Sequence, residues 1–119
     1  MTSLNVLVVD DNPTNRLLPG LFLSPLGHRV SECDSADQAL AWLANHPCDL
    51  VLLDISMPLV SGLELCQQLR RQASLKHLKI IAYTAHAVPH EVQLLRDAGF
   101  NQVLIKPIRS QDLFEAIQV

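Results

Sequence analysis

The stretch LVLLDISMP at residues 50–58 decides how the rest of the chain folds. Its four leading apolar residues form a short continuous run, which is typical of a strand buried on both faces in a parallel sheet. The run ends at Asp54, so we expect a carboxylate at the carboxyl end of that strand, where ligands bind in open α/β sheets. Met57 and Pro58 cannot continue a strand ladder and predict a turn. Taken alone, the stretch fits equally well an aspartate that only turns the chain after a strand.

The composition is that of one globular α/β domain. The 119 residues are 49% hydrophobic and 18% charged, and they carry a net charge of −3. The chain has no basic run, which argues against nucleic acid or an anionic membrane as its main partner. The three cysteines (Cys33, Cys48 and Cys66) share no C-x-x-C spacing and are expected to be reduced thiols. No apolar run approaches the ~20 residues of a membrane span and no signal peptide is recognisable, so we expect a cytoplasmic protein.

Strand and helix patterns alternate along the whole chain. Strands are predicted at residues 4–9, 28–33, 49–53, 78–83 and 102–105. Helices are predicted from residue 13 to the break at 25–27, and over residues 35–45, 61–72, 89–98 and 110–118. Asn12 and Ser35 are good N-caps, and Gly99 is a good helix stop. This alternation predicts right-handed crossovers and one three-layer domain, with a parallel sheet between helices.

The first helix carries an irregularity. We expect its apolar side chains to face the core and, as the second alternative, to form a surface that binds a partner: Leu17, Leu18, Leu21 and Phe22. Pro19 falls in the helix interior, where its ring would clash with the carbonyl of residue 15. We therefore expect a kinked or shortened first helix.

Polar residues that could carry chemistry follow the first, third, fourth and fifth predicted strands. Asp10 and Asp11 follow the first strand, Asp54 the third, Thr84 the fourth and Lys106 the fifth. The carboxyl ends of parallel strands share one edge of the sheet, so these groups should converge. Three carboxylates repel one another unless a cation offsets them, and a hard divalent ion such as Mg²⁺ suits oxygen ligands. An acidic metal site, a lysine and a hydroxyl around one further carboxylate predict phosphoryl transfer to Asp54.

With these residues in place, the chain resembles the receiver domains of two-component response regulators over essentially its whole length. The resemblance rests on VVDD at residues 8–11, LDISMP at 53–58 with Gly62, Thr84-Ala85, and KPI at 106–108. It implies a flavodoxin-like (βα)5 fold with strand order 2-1-3-4-5, for which a receiver is a standard example.

The resemblance also implies roles for individual residues. Asp54 would accept a phosphoryl group from a phosphohistidine of a sensor kinase or histidine phosphotransfer domain, and Thr84 and Lys106 would bind the phosphoryl oxygens. Asp10, Asp11, Asp54 and the backbone carbonyl of Ser56 would hold Mg²⁺. The Lys106-Pro107 bond would be cis. Residues 1–119 would form one receiver domain that is not an enzyme, either stand-alone or cut from a larger regulator with an output domain or protein.

Some positions depart from the family pattern. Ser61 stands where an acidic residue is usual before Gly62, and Val103 replaces the usual aromatic three residues before the lysine, which predicts a muted output switch. Asn12, Asn15 and the run TAHA at residues 84–87 resemble receivers of hybrid sensor kinases more than those of transcription factors.

Two other classes of protein compete with a phosphoacceptor switch. An enzyme of the haloacid-dehalogenase type also uses an aspartyl nucleophile with Mg²⁺, but it would need a second aspartate two residues later, where this chain has Ser56. A flavodoxin-like module without chemistry would show gaps in the acidic cluster, and the sequence has none.

Overall fold

Strands and helices alternate in the structure as the sequence predicts. The computed structural model describes residues 3–56, 61–85 and 88–117, so the turn expected at Met57 and Pro58 and the residues His86 and Ala87 lie outside it. Within the described ranges the elements are β1 (Asn5–Val9), α1 (Pro13–Leu23), β2 (Arg29–Cys33), α2 (Ala36–Asn45), β3 (Leu50–Asp54), α3 (Gly62–Arg71), β4 (Lys79–Thr84), α4 (Pro89–Ala98), β5 (Gln102–Ile105) and α5 (Ser110–Ile117). Short 3₁₀ turns at Ser24–Leu26 and Ala73–Leu75 follow α1 and α3.

The five strands form one parallel sheet in the order β2-β1-β3-β4-β5. This order confirms the predicted flavodoxin-like topology. Strand β3 lies at the centre of the sheet, and its four apolar residues are buried, as their unbroken run predicted; Asp54, its last residue, is buried as well. The β1–β2 crossover runs toward one edge of the sheet, and the later crossovers run toward the other edge. Because these connections are right-handed, helices lie on both faces.

Successive residues of each strand point to opposite faces of the sheet and contribute to two separate cores. Leu7, Val51 and Ile80 point to the face covered by α2, α3 and α4. Their neighbours Val8 and Leu52 point to the opposite face, which α1 and α5 cover. The predicted three-layer arrangement is therefore confirmed, and each strand end projects between two packed layers.

Local capping explains where the helices begin and end. The Asn12 side chain accepts hydrogen bonds from the backbone N–H groups of Thr14 (2.9 Å) and Asn15 (3.1 Å), and Ser35 caps α2 in the same way. Gly99 ends α4 with a φ of 117°, which an L side chain rarely adopts. Among the described helices, the longest of which is α1 with 11 residues, none is long and apolar enough to cross a membrane.

Helix α1 differs from the prediction in two respects. It continues through the buried Pro19 to Leu23, so the expected shortening at Pro19 is wrong, while a kink there stays a prediction. Leu17 and Leu21, expected in the core, are 51% and 60% exposed, whereas Leu23 is fully buried. The reason is angular: the apolar surface of α1 is wider than the stripe that the sheet can cover, and Leu18 and Phe22 occupy that stripe.

The cysteines are free thiols, as the sequence predicted. Cys33 and Cys66 are buried, and Cys48 is partly buried. Burial raises the pKa of Cys48 and of Cys66 to about 11, so both thiols stay protonated near neutral pH. They therefore behave as small core residues rather than reactive groups.

Gly62 fixes the distance between α3 and the end of β3. A Cβ atom at this position would lie 2.2 Å from the backbone oxygen of Asp54, closer than real contacts allow. Gly20, inside α1, offers a matched comparison because its Cβ would meet only Val30 Cγ1, at an ordinary 3.7 Å.

We predict that Gly62→Ala lowers the free energy of unfolding by roughly 1–3 kcal/mol, because the backbone of α3 or β3 must shift. Gly20→Ala should instead raise the free energy of unfolding by about 0.5–1 kcal/mol, through the lower backbone entropy of alanine in the unfolded chain. Urea unfolding followed by the fluorescence of Trp42, the one tryptophan of the chain, measures both. Equal stability of Gly62→Ala and the wild type would contradict the close approach.

Candidate active site

Asp54 stands at the carboxyl end of the central strand. It is the last residue of β3 and only 3% exposed. Its Oδ1 accepts two hydrogen bonds, from Lys106 Nζ at 3.0 Å and from the backbone N–H of Ser56 at 3.1 Å. A carboxylate this deeply buried requires such charged or polar partners, and here they hold it in one orientation.

Lys106 reaches Asp54 from the end of β5. Its backbone N–H donates to the carbonyl of Thr84 at 2.8 Å, which extends the β4–β5 pairing by one residue and sets the direction of the side chain. The Lys106-Pro107 peptide bond is cis, as the resemblance implied. Lys106 Nζ also lies 3.6 Å from Asp10 Oδ2, so one ammonium group forms ion pairs with two buried carboxylates.

Asp10 and Asp11 complete an acidic group at the same edge. Asp10 is fully buried, and its Oδ1 accepts from the backbone N–H of Asn12 at 2.8 Å, whereas Asp11 is exposed to solvent. Ligand oxygens of Asp10, Asp11 and Asp54 all lie within 4.8 Å of one another. The predicted convergence of carboxylates from β1 and β3 is therefore present in the structure.

Thr84 and Ser56 occupy the predicted positions beside this group. Thr84 is the last residue of β4 and is 9% exposed, and its backbone carbonyl receives the Lys106 N–H. Ser56 lies two residues beyond Asp54 and is exposed, and its backbone N–H contacts Asp54. The roles predicted for the Thr84 hydroxyl and the Ser56 carbonyl stay predictions.

The structure adds two residues that the sequence patterns did not single out. Tyr83 is fully buried, and its hydroxyl donates to Asp10 Oδ2 at 2.5 Å. Burial, with the hydrogen bond to Asp10 and its charge, raises the pKa of the Tyr83 phenol far above its ordinary value, so the phenol remains a donor. Arg16 Nη1 donates to the Asp10 carbonyl at 2.9 Å while its Nε pairs with Glu32.

The charges of the site favour a divalent cation. Among the residues that the structure describes, three carboxylates face one ammonium group, since the Arg16 guanidinium is paired with Glu32. Two negative charges therefore remain, which the two positive charges of one Mg²⁺ ion would balance. Carboxylate oxygens are the hard ligands that this ion prefers, and Asp11 lies on the solvent side where an ion would enter. The donor set and its charge thus fit magnesium.

Comparison with known proteins shows the family. The family model described as the response regulator receiver domain matches residues 6–118, and the chain belongs to this family. The chain is 36% identical over 111 residues to the signal transduction histidine-protein kinase BarA of Escherichia coli K12, and 36% identical over 115 residues to the sensor histidine kinase GacS of Pseudomonas protegens. These matches cover 93% and 94% of this chain but only 12% of either kinase. The sequence-based resemblance to receivers of sensor kinases is thereby confirmed.

Solved structures agree with the fold. The chemotaxis protein CheY4 of Vibrio cholerae superimposes with a TM-score of 0.91 at 26% identity, covering 98% of both chains. The receiver domain of the sensor histidine kinase PA1611 of Pseudomonas aeruginosa gives 0.84 at 29% identity, covering 96% of this chain and 93% of that one. That second structure has a magnesium ion coordinated in its active-site cleft. A CheY-like receiver fold is thus established for this chain.

We predict that Mg²⁺ stabilises the protein through the three carboxylates. At a concentration ten times the dissociation constant, the ion should raise the free energy of unfolding by about 1.4 kcal/mol. Asp11→Asn removes one ligand without disturbing the core and should abolish most of this gain. Asp34→Asn, an exposed carboxylate just after β2, is the control and should retain it. Thermal unfolding with and without Mg²⁺ measures the difference, and an equal gain in Asp11→Asn would contradict the site.

Proposed function

We propose that residues 1–119 form a receiver domain in which Asp54 accepts a phosphoryl group in a Mg²⁺-dependent reaction. The observation that carries the proposal is the contact of Lys106 Nζ with Asp54 Oδ1 at 3.0 Å, beside the carboxylates of Asp10 and Asp11. A carboxylate at a strand end that meets both a fixed cation and an acidic metal site is suited to phosphoryl transfer. The domain acts as a signalling acceptor that assists its own phosphorylation and dephosphorylation.

The chemistry assigned to Asp54 is an in-line displacement. A carboxylate oxygen of Asp54 attacks phosphorus and forms the P–O bond. The P–N bond of the donor phosphohistidine breaks, and its electron pair stays on the leaving nitrogen; the imidazole leaves as a neutral ring because its other nitrogen already carries a proton. The Lys106 ammonium and the Thr84 hydroxyl would bind phosphoryl oxygens and offset their charge. Asp54 is only 3% exposed, and burial lowers the local dielectric, which strengthens these contacts.

Asp10, Asp11, Asp54 and the backbone carbonyl of Ser56 would hold the Mg²⁺ ion. When bound, the ion neutralises the carboxylates and the oxygens of the transferred group. Asp10 is kept in place by its neighbours even without the ion, since Asn12 and Tyr83 each donate to one of its oxygens. The protein part of the site is thus arranged before the reaction, which reduces the reorganisation required in the transition state.

The curated relatives support a histidine kinase or a histidine phosphotransfer domain as the partner. BarA and GacS are themselves histidine kinases, and this chain matches a segment that makes up 12% of their length. We propose that the chain acts in a cytoplasmic phosphorelay, with a downstream domain or protein as recipient of the signal. Val103, which packs against the core below α4, supports a relay more than a strong output switch, because valine can neither fill the space of an aromatic nor expose a hydroxyl.

We predict that acetyl phosphate adds one phosphoryl group to the wild type in Mg²⁺ and none to Asp54→Asn. Intact-mass spectrometry measures the added mass directly. EDTA should reduce labelling to background, because the acidic site then lacks its counter-ion. Lys106→Ala should label at least tenfold more slowly, as expected when a charged transition-state contact is lost.

Asp34→Asn is the matched control and should be labelled like the wild type, because Asp34 is exposed and outside the acidic group. Labelling of Asp54→Asn at the wild-type level would contradict the assignment of the acceptor. Labelling that proceeds equally in EDTA would contradict the requirement for a divalent cation.

A further inference from the structure

Tyr83 contacts two members of the site and lies outside the predicted set. It is the penultimate residue of β4, and it is the one tyrosine of the chain. Its hydroxyl donates to Asp10 Oδ2 at 2.5 Å. The centroid of its ring lies 4.8 Å from Lys106 Nζ, within the range of a cation–π contact. One side chain thus links a carboxylate after β1 to the ammonium after β5.

The position requires an apolar residue but not a hydroxyl. Tyr83 packs into the core on the α1–α5 side with Ile108 and Leu113, and strand residues of the same face, such as Ile81, are aliphatic. A buried phenol requires a hydrogen-bond partner, and Tyr83 takes a charged one. The hydroxyl therefore serves to hydrogen-bond the Asp10 carboxylate and is not needed for packing in the sheet.

The two contacts have different consequences. With Asn12 on Oδ1 and Tyr83 on Oδ2, both oxygens of the Asp10 carboxylate are held, so the plane of the carboxylate is set. The ring lies under Lys106, whose ammonium is then directed to Asp54 at 3.0 Å. The Tyr83 side chain makes neither contact with Asp54 itself, so its hydroxyl and ring affect the reaction through Asp10 and Lys106. The Tyr83 backbone pairs with Asp54 and accepts from the Ile55 N–H, and these contacts remain when the side chain is changed.

We propose that Tyr83 is a positioning residue: its hydroxyl orients Asp10 for a divalent cation, and its ring holds Lys106 against Asp54. This inference rests on the proposed function and deepens it. Hydrogen bonds from outer residues to ligating carboxylates commonly contribute a factor of about 10–100 in metal affinity. The hydroxyl and the ring can be removed separately, which makes the two parts distinguishable.

Tyr83→Phe removes the hydroxyl and keeps the ring. Calorimetric titration with Mg²⁺ alone should give an affinity about tenfold lower than that of the wild type. At saturating Mg²⁺, labelling by acetyl phosphate should stay within about twofold of the wild type, since the ring still supports Lys106. Tyr83→Leu removes both contacts and should also label more slowly at saturating Mg²⁺.

Ile81→Val is the matched control for core packing. Ile81 lies two residues earlier on β4, faces the same core and is fully buried. Its truncation should lower thermal stability and leave Mg²⁺ affinity unchanged. Loss of affinity in Ile81→Val equal to that in Tyr83→Phe would overturn the proposal, because any disturbance of this core would then explain the effect.

A second measurement requires no substitution at Tyr83. Incorporation of ¹³Cζ-tyrosine gives a single resonance, because the chain has one tyrosine. Titration of Mg²⁺ should shift this resonance along the same binding curve as calorimetry, and Asp10→Asn should remove the shift. A resonance that does not move at saturating Mg²⁺ would overturn the coupling.

The outcomes separate the inference from the proposed function. If the wild type takes no phosphoryl group at Asp54, the proposed function fails. If the wild type is labelled at Asp54 while Tyr83→Phe binds Mg²⁺ as tightly as the wild type, or more tightly, only the role of Tyr83 fails.

Discussion

The contact of Lys106 with Asp54 is the constraint on which the functional edge of this protein depends. It joins two strand ends that lie 52 positions apart in sequence, with its nitrogen and oxygen 3.0 Å apart. Two of the neighbouring carboxylates, Asp10 and Asp54, are almost completely buried, and buried charges are costly without a partner. One lysine partly compensates both, and the remaining negative charge fits a divalent cation.

The backbone holds this arrangement in place. The Lys106 N–H bonds to the Thr84 carbonyl, and Gly62 lets α3 approach the Asp54 carbonyl more closely than any side chain would permit. The buried apolar residues of β1, β3 and β4 form the support, with one core on each face of the sheet. Residues whose positions are set by strand ends are more precisely held than residues on free loops. The proposed phosphoryl chemistry would exploit this rigidity.

The predictable part of the fold follows from strong local signals. Apolar runs of strand length, N-caps at Asn12 and Ser35, and the glycine stop at Gly99 all act within a few residues, and each was found where the sequence predicted it. Element ends differ by about one residue, because fraying and strand pairing decide them. The convergence of Asp10, Asp11, Asp54 and Lys106 was also predictable, since all of them follow strands of one parallel sheet.

Two features required the three-dimensional structure. The exposure of Leu17 and Leu21 depends on how far the sheet covers α1, which periodicity alone does not determine. The hydrogen bond of Tyr83 joins residues 73 positions apart, and within β4 the tyrosine reads as one more apolar strand residue. In both cases the sequence shows an apolar residue but not the surface or group that it meets.

The most direct test of the site is a crystal structure of the protein with Mg²⁺ and beryllofluoride, a phosphoryl mimic. We predict that the mimic bonds to Asp54 and contacts the Lys106 ammonium and the Thr84 hydroxyl. The ion should be held by Asp10, Asp11, Asp54 and the Ser56 carbonyl. A mimic absent from Asp54 at saturating concentration, or an ion bound away from these carboxylates, would contradict this assignment.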